Sequence, residues 1–254
     1  MNVINLTPSL SFSGATLVIP AVSIGNVGQL AMDLIIETTQ APRVARLSHP
    51  MLLPCAGTGA FSHIPGTAFS MELYQLPSNQ SIYLVQQRGP AAPGLSQPFA
   101  QDLAAWAASV GFSQIWVLGS LDGSFRRDEQ LQGSQLRFYG DEECYQQLQQ
   151  ALATAEGTAA IPRLEPGSSF LQDKPIEKKV LPPWTLLNAF KDHTEIKCGA
   201  ILSFALEGYN VPEAAAVATV TATSVLSIGG GAVQWKEPGS WKDAFGSGAR
   251  PIGF

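Results

Sequence analysis

Few residues in this chain have the types and spacing that chemistry requires. The first is a glycine turn, Gly25-Asn26-Val27-Gly28, placed between an apolar run and a helical stripe. Such a turn can cradle a phosphate, because a helix N-terminus offers free amides and a positive dipole end. The turn is a bare GxxG, without the third glycine of a dinucleotide fingerprint or the Lys-Ser/Thr pair of a P-loop. Glycines there also serve tight turning and close helix-to-sheet packing, the reading preferred here over nucleotide binding. Gly119-Ser120-Leu121-Asp122-Gly123 carries the outer glycines of a nucleophile elbow without its central serine. The three histidines, His49, His63 and His193, are scattered, and Asp122, Asp128 and Glu129 share a loop with Arg126 and Arg127, as solvated ion pairs do. Cys55, Cys144 and Cys198 form no CxxC or Cys/His spacing. They suggest neither a disulfide framework nor a zinc site and fit a reducing compartment. No catalytic, cofactor or metal residue is therefore assigned.

The elements that position these residues follow from periodicity. Ala15–Pro20 reads as a buried strand. The following helix carries Val27, Leu30, Ala31, Leu34 and Ile35 as one stripe, with Asn26 as its side-chain cap. Arg43–Ser48 and Met51–Pro54 read as strands, and Ser70–Leu76 with Ser81–Gln87 as a hairpin around Pro77-Ser78-Asn79-Gln80. After a loop from Arg88 to Gln97, a helix over Pro98–Val110 buries Phe99, Leu103, Trp106, Ala107 and Val110 and ends at Gly111. Ile115–Gly119 is a central strand, followed by a polar loop to Gln132, a strand at Leu136–Tyr139 and a helix over Glu142–Ala155. Residues Pro183–His193, Ile196–Glu207 and Val211 onward are expected to be helices, the last with Pro212 in its first turn. Strand–helix–strand order argues for one three-layer α/β domain whose mixed, partly parallel sheet is flanked by helices. That domain is expected over residues 1–234, with 155–183 a flexible insertion rich in proline, glycine and charge, and 235–254 a C-terminal tail on the surface or in water.

Composition narrows the function classes. The chain has 254 residues and a net charge of −5, with no cluster of Lys or Arg, so it lacks the basic footprint a nucleic acid requires. Charged residues make up 14% of it, against about 25% in ordinary soluble domains. The deficit reads either as compositional drift or as a surface with wide contact areas, since interface cores are depleted in Lys, Glu and Asp. Val211–Val233 is rich in Ala, Val and Thr, but it has no flanking basic cluster and suits a core helix better than a membrane span. Met1–Leu10 has neither the positive charge nor the apolar run of a signal peptide.

The chain ends Phe245-Gly-Ser-Gly-Ala-Arg250-Pro251-Ile252-Gly253-Phe254, an apolar tip on a polar stem beside a carboxylate. A pocket holding a cation could capture it, or Ile252 and Phe254 could tuck back on the domain. Four segments resemble proteasome assembly chaperones: Leu17–Ile36, Arg127–Leu131, Leu206–Glu213 and Trp241–Gly248. Ser23, Gly25, Asn26 and Gly28 form the structural turn of the first segment. The resemblance implies an α/β fold shaped like a nucleoside phosphorylase without its catalytic site, and a non-catalytic, cofactor-free role. It also implies a heterodimer with proteasome assembly chaperone 1. That dimer would hold α-subunits of the proteasome core particle, promote α-ring assembly and prevent off-pathway ring dimerisation, in cytoplasm and nucleus. Family tails enter pockets between α-subunits with the pattern hydrophobic residue, tyrosine, any residue. Ile252-Gly253-Phe254 keeps the hydrophobic residue and lacks the tyrosine. The alternative is a nucleoside- or nucleotide-binding enzyme of phosphorylase-like fold, which would use the Gly25 turn.

Overall fold

The computed structural model describes residues 1–7, 10–155, 160–165, 183–228 and 233–242. The proposed tail residues Arg250–Phe254 and most of the expected insertion lie outside them. In chain order the strands are β1 (Asn2–Asn5), β2 (Thr16–Pro20), β3 (Arg43–Ser48), β4 (Ala56–Thr58), β5 (Thr67–Phe69), β6 (Met71–Gln75), β7 (Ile82–Gln87), β8 (Gln114–Asp122), β9 (Leu136–Gly140) and β10 (Lys197–Ala205). The helices are α1 (Val27–Thr39), α2 (Ser96–Val110), α3 (Glu142–Thr154), α4 (Pro183–Lys191) and α5 (Val211–Ser224).

Eight strands form one sheet in the order β1-β3-β6-β7-β2-β8-β10-β9, while β4 and β5 make a separate hairpin. The middle four, β7, β2, β8 and β10, run parallel; β6, β3 and β1 on one side and β9 on the other are antiparallel. Parallel strands are joined by helical crossovers that cover both faces, which is why β2, β8 and β10 are apolar on each side. One core lies under α2 and α4, where Phe99, Leu103, Leu187 and Phe190 meet Leu17, Ile115 and Val117. The other lies under α1, α3 and α5, where Ile35, Leu148 and Val217 meet Val18, Trp116 and Ile201. The result is the expected three-layer α/β domain around a mixed sheet.

The largest departure is Ile196–Glu207, expected as a helix and folded as β10. Along it Cys198, Ala200, Leu202 and Phe204 face the first core, while Ile201 and Ala205 face the second. A strand buried on both faces loses its apolar-polar alternation, so its sequence reads like a buried helix. What decides is its place between two strands: β8 pairs with it in parallel from Lys197 to Ala205, and β9 pairs with it on the other side. Asn26 also departs from expectation. It makes no side-chain cap, and with Gly25 it lies in the left-handed region (φ 54° and 62°), inside a short 3-10 turn ahead of α1. Met51–Pro54 supplies one isolated bridge, Leu52 to Ala91, in place of a strand. The central strand runs on to Asp122, into the stretch expected to be a polar loop.

Residues 235–242 close over α1 and α5. Trp235 Nε1 donates to Thr219 Oγ1 (3.0 Å) and the Lys236 amide to Thr38 Oγ1 (2.9 Å). Trp241 is buried, and its Nε1 donates to Asp33 Oδ2 at 3.1 Å. Among the described residues no helix is long and apolar enough to cross a membrane.

Candidate partner-binding surface at the carboxyl end of the sheet

The four turn residues singled out in the sequence meet where β2 and β8 end. Ser23 Oγ accepts the Ser120 amide and lies 2.9 Å from Ser120 Oγ, which itself donates to the Ile24 carbonyl at 2.5 Å. This buried serine pair ties the turn to β8 in place of a side-chain cap. A Cβ at Gly28 would run into the Leu118 carbonyl, so that glycine lets α1 lie directly on the sheet. A Cβ at Gly25 would strike the Asn210 amide group. Asn210 is buried, and its Nδ2 donates to the Leu206 and Gly208 carbonyls at 2.8 and 3.0 Å. The place where a phosphate would approach the glycine turn is thus occupied by Asn210, and the glycines act in packing.

Asn210 brings the Gly25 turn and the 206–213 segment together. The loop from β8 to β9 arrives at the same end of the sheet, because β9 starts opposite the last residues of β10. Its anchoring explains its charged residues. Asp122 accepts the Ser124 amide (2.9 Å). The Arg126 guanidinium donates to the Gly123 carbonyl (3.1 Å) and to Gln135 Oε1 (2.5 Å), 5.7 Å over the Phe204 ring. Gln130 is buried and donates to Glu165 Oε2 at 2.5 Å, and Arg137 Nε donates to Glu165 Oε1 at 3.0 Å. Burial would raise the Glu165 pKa, but the hydrogen bonds it accepts and the Arg137 charge hold it below its ordinary value.

This frame holds apolar side chains outward. Leu131 is 55% exposed and Leu206 54%, and Phe125 and Tyr209 are exposed beside them in sequence. An open cleft of about 260 Å³ runs along this end, lined by Arg126, Gln135, Phe204, Glu207 and Tyr209 among others. Leucines fixed in water by a hydrogen-bonded frame mark a contact surface better than a reaction centre. Three of the four segments singled out in the sequence, at 17–36, 127–131 and 206–213, converge here. The fourth begins at Trp241, which packs instead on α1.

Sequence reading missed a chain of buried carboxylates under the antiparallel half of the sheet. Asp33 accepts from Arg88 (2.9 Å), Gln86 (2.6 Å) and Trp241. Burial works against the Arg88 charge, and Asp33 outweighs it, holding the guanidinium pKa above its usual value. Glu72 accepts from Arg43 (2.5 Å) and the Tyr74 hydroxyl (2.8 Å), and burial beside that carboxylate pushes the Tyr74 pKa up. Glu37 accepts from the Ser62 amide (3.0 Å) and hydroxyl. A lone charge inside an otherwise apolar run, as Asp33 is between Leu30 and Ile36, is the signal that could have found them. The histidines stay apart: His49 lies against Asp102 (3.1 Å), His63 Nε2 donates to the Ala41 carbonyl (3.0 Å), and His193 faces Glu195 (3.4 Å). Among the described residues no three His, Cys, Asp or Glu side chains group as metal ligands.

The fold and these segments place the chain among known proteins. The PAC2 family model matches residues 17–225, and the chain belongs to the PAC2 family. It is 31% identical over 252 residues to Proteasome assembly chaperone 2 of Xenopus laevis, covering 95% of each chain. It is 29% identical over 261 residues to the human protein of the same name, covering 95% of this chain and 96% of that one. Among solved structures, Pyrococcus furiosus PbaA, an archaeal homolog of proteasome-assembly chaperone, superposes with a TM-score of 0.61 at 16% identity, covering 90% of this chain and 87% of that one. PbaB of the same organism, an archaeal proteasome activator, superposes at 0.62 and 16% identity, over 92% and 90%. At that identity the two structures speak for the fold.

Proposed function

We propose that this chain is a non-catalytic proteasome assembly chaperone that works by holding other proteins. It pairs with a paralogous partner, proteasome assembly chaperone 1, and with it holds α-subunits of the core particle. It promotes α-ring formation and keeps rings from dimerising off pathway, in cytoplasm and nucleus. Similarity to proteins named Proteasome assembly chaperone 2 over nearly the whole of both chains supports the class. The observation that carries the mode of action is the pair of exposed leucines, Leu131 and Leu206, held out by buried polar ties at the carboxyl end of the sheet. Masking a partner surface until the right neighbour displaces it needs differential binding and no bond-making.

A tagged pull-down from native cytosol, read by mass spectrometry, tests this. The expected catch is a paralogous chaperone with α-subunits and without mature β-subunits. A stable solitary chain with no affinity for α-subunits would refute the proposal.

A further inference from the structure

The β1 edge of the sheet offers a second candidate surface, independent of the chaperone reading. Among the described residues strand β1 is the last of its sheet and pairs only with β3. The Leu6 amide donates to the Val44 carbonyl, continuing the register Ile4↔Arg46. Backbone groups alternate in an antiparallel pair, so those of Val3 and Asn5 point away from β3. Exposed edges are normally guarded by charge, proline or a bulge. The β1 sequence Asn-Val-Ile-Asn has no charge and no proline, and its pairing with β3 runs without a register shift. Ile4 is 55% exposed and Leu6 44%.

Beside this edge lies an open groove of about 500 Å³, lined mainly by apolar groups, Ile4, Leu47, Leu52, Pro54 and Phe69 among them. Its cation is Arg46, cross-strand neighbour of Ile4, stacked 4.3 Å over the Phe69 ring. Glu72 is its cross-strand neighbour on β6 but is held by Arg43 and the Tyr74 hydroxyl, and no ion pair among the described residues joins a carboxylate to Arg46. The Arg46 Nε is buried without a hydrogen-bond partner. Arg43 and Arg88, half-buried like Arg46, hold carboxylates; this one is left for an outside anion.

We infer that the β1 edge and its groove take an extended strand of another protein that carries a carboxylate over Arg46 between apolar side chains. A strand added to β1 lies two strand spacings from β3, roughly 9.6 Å, a gap that an extended guanidinium and a glutamate span between them. A second copy of this chain fits poorly, because pairing through its own Asn2–Asn5 supplies no carboxylate and sets two Arg46 side chains on one face.

The test uses the full chain and two short fluorescein-labelled peptides, threonine-valine-threonine-glutamate-threonine-valine-threonine and its lysine twin, read by anisotropy. The glutamate peptide should bind about tenfold more tightly, the scale of one charge-assisted hydrogen bond. Arg46→Gln should abolish that preference, Arg46→Glu reverse it, and Val3→Pro, which removes an outward amide, weaken both peptides. Circular dichroism checks that each variant is folded. An unchanged preference in folded Arg46→Glu overturns the inference. So does a homodimer in sedimentation that Val3→Pro dissolves, since a second copy would then occupy the edge.

Discussion

Cys144 and Cys198 are buried and Cys55 is exposed. Burial drives the Cys144 thiol up to about 11 and pushes Cys198 up further. Thiolate is the reactive form, so only Cys55 should react in the native state. Titration with a chromogenic disulfide near pH 8 is expected to count one of the three thiols, and all three in denaturant. For stability the sign follows from proton counting. Above the ordinary thiol value of 9 the unfolded chain loses a proton that folded Cys144 keeps, so this group makes stability fall as pH rises from there. Gly28 poses a steric question. A methyl group there meets a carbonyl of β8, which cannot rotate away. Gly28→Ala should destabilise by about 1–3 kcal/mol, as overpacking does, read from the urea midpoint.

At the scale of elements, polar ties fix α1 and the β8–β9 loop. Asp33 on α1 joins Arg88 at the end of β7 to Trp241 from the C-terminal segment. Removing one member of a buried ion pair leaves the other charge uncompensated, so Asp33→Ala should cost about 3 kcal/mol. It should also expose Trp241, seen as a red shift of its fluorescence. The same holds in weaker form for the loop. Glu165 has its pKa held below the ordinary 4.5 by Gln130 and Arg137. A lowered carboxylate contributes stability that is complete above 4.5 and is lost as pH falls through the folded value. Glu165→Gln should flatten this acid limb. Proteolysis within 123–135, followed as pH is lowered, would report it, and an unchanged profile would mean that Glu165 does not anchor the loop.

For the whole molecule the expectations concern partners. Leu131→Asp and Leu206→Asp place charges on exposed positions, where folding tolerates them to within about 0.5 kcal/mol. If the carboxyl end of the sheet is the holding surface, the double variant should keep its melting temperature and lose α-subunits from the pull-down. Retention of α-subunits would move the contact elsewhere. Deleting Pro251–Phe254 should weaken α-ring binding and leave the heterodimer intact; unchanged ring affinity would sink the tail idea alone. Inosine or inorganic phosphate titrated into the chain should give no heat and no thermal shift, because Asn210 fills the approach to Gly25. Measurable heat would revive the enzyme reading.

Much of this protein is set by local sequence. The strand–turn–helix opening, the 70–87 hairpin, the helix ending at Gly111 and the strand at Ile115 follow from periodicity and turn chemistry. Those are short-range properties of the backbone. The character of the Leu17–Ile36 and Leu206–Glu213 segments was legible too. Tertiary structure decided what depends on neighbours. Residues 197–205 are a strand only because β8 and β9 flank them, and a run buried on both faces carries no period of its own to say so. β1 and the β4–β5 hairpin are too short and too polar to announce themselves. The glycine turn could be read as a cradle until Asn210, 185 positions beyond Gly25 (210 − 25), was seen to occupy it. Hydrogen bonds and charges choose partners by proximity in space, and proximity at that separation is a product of the fold.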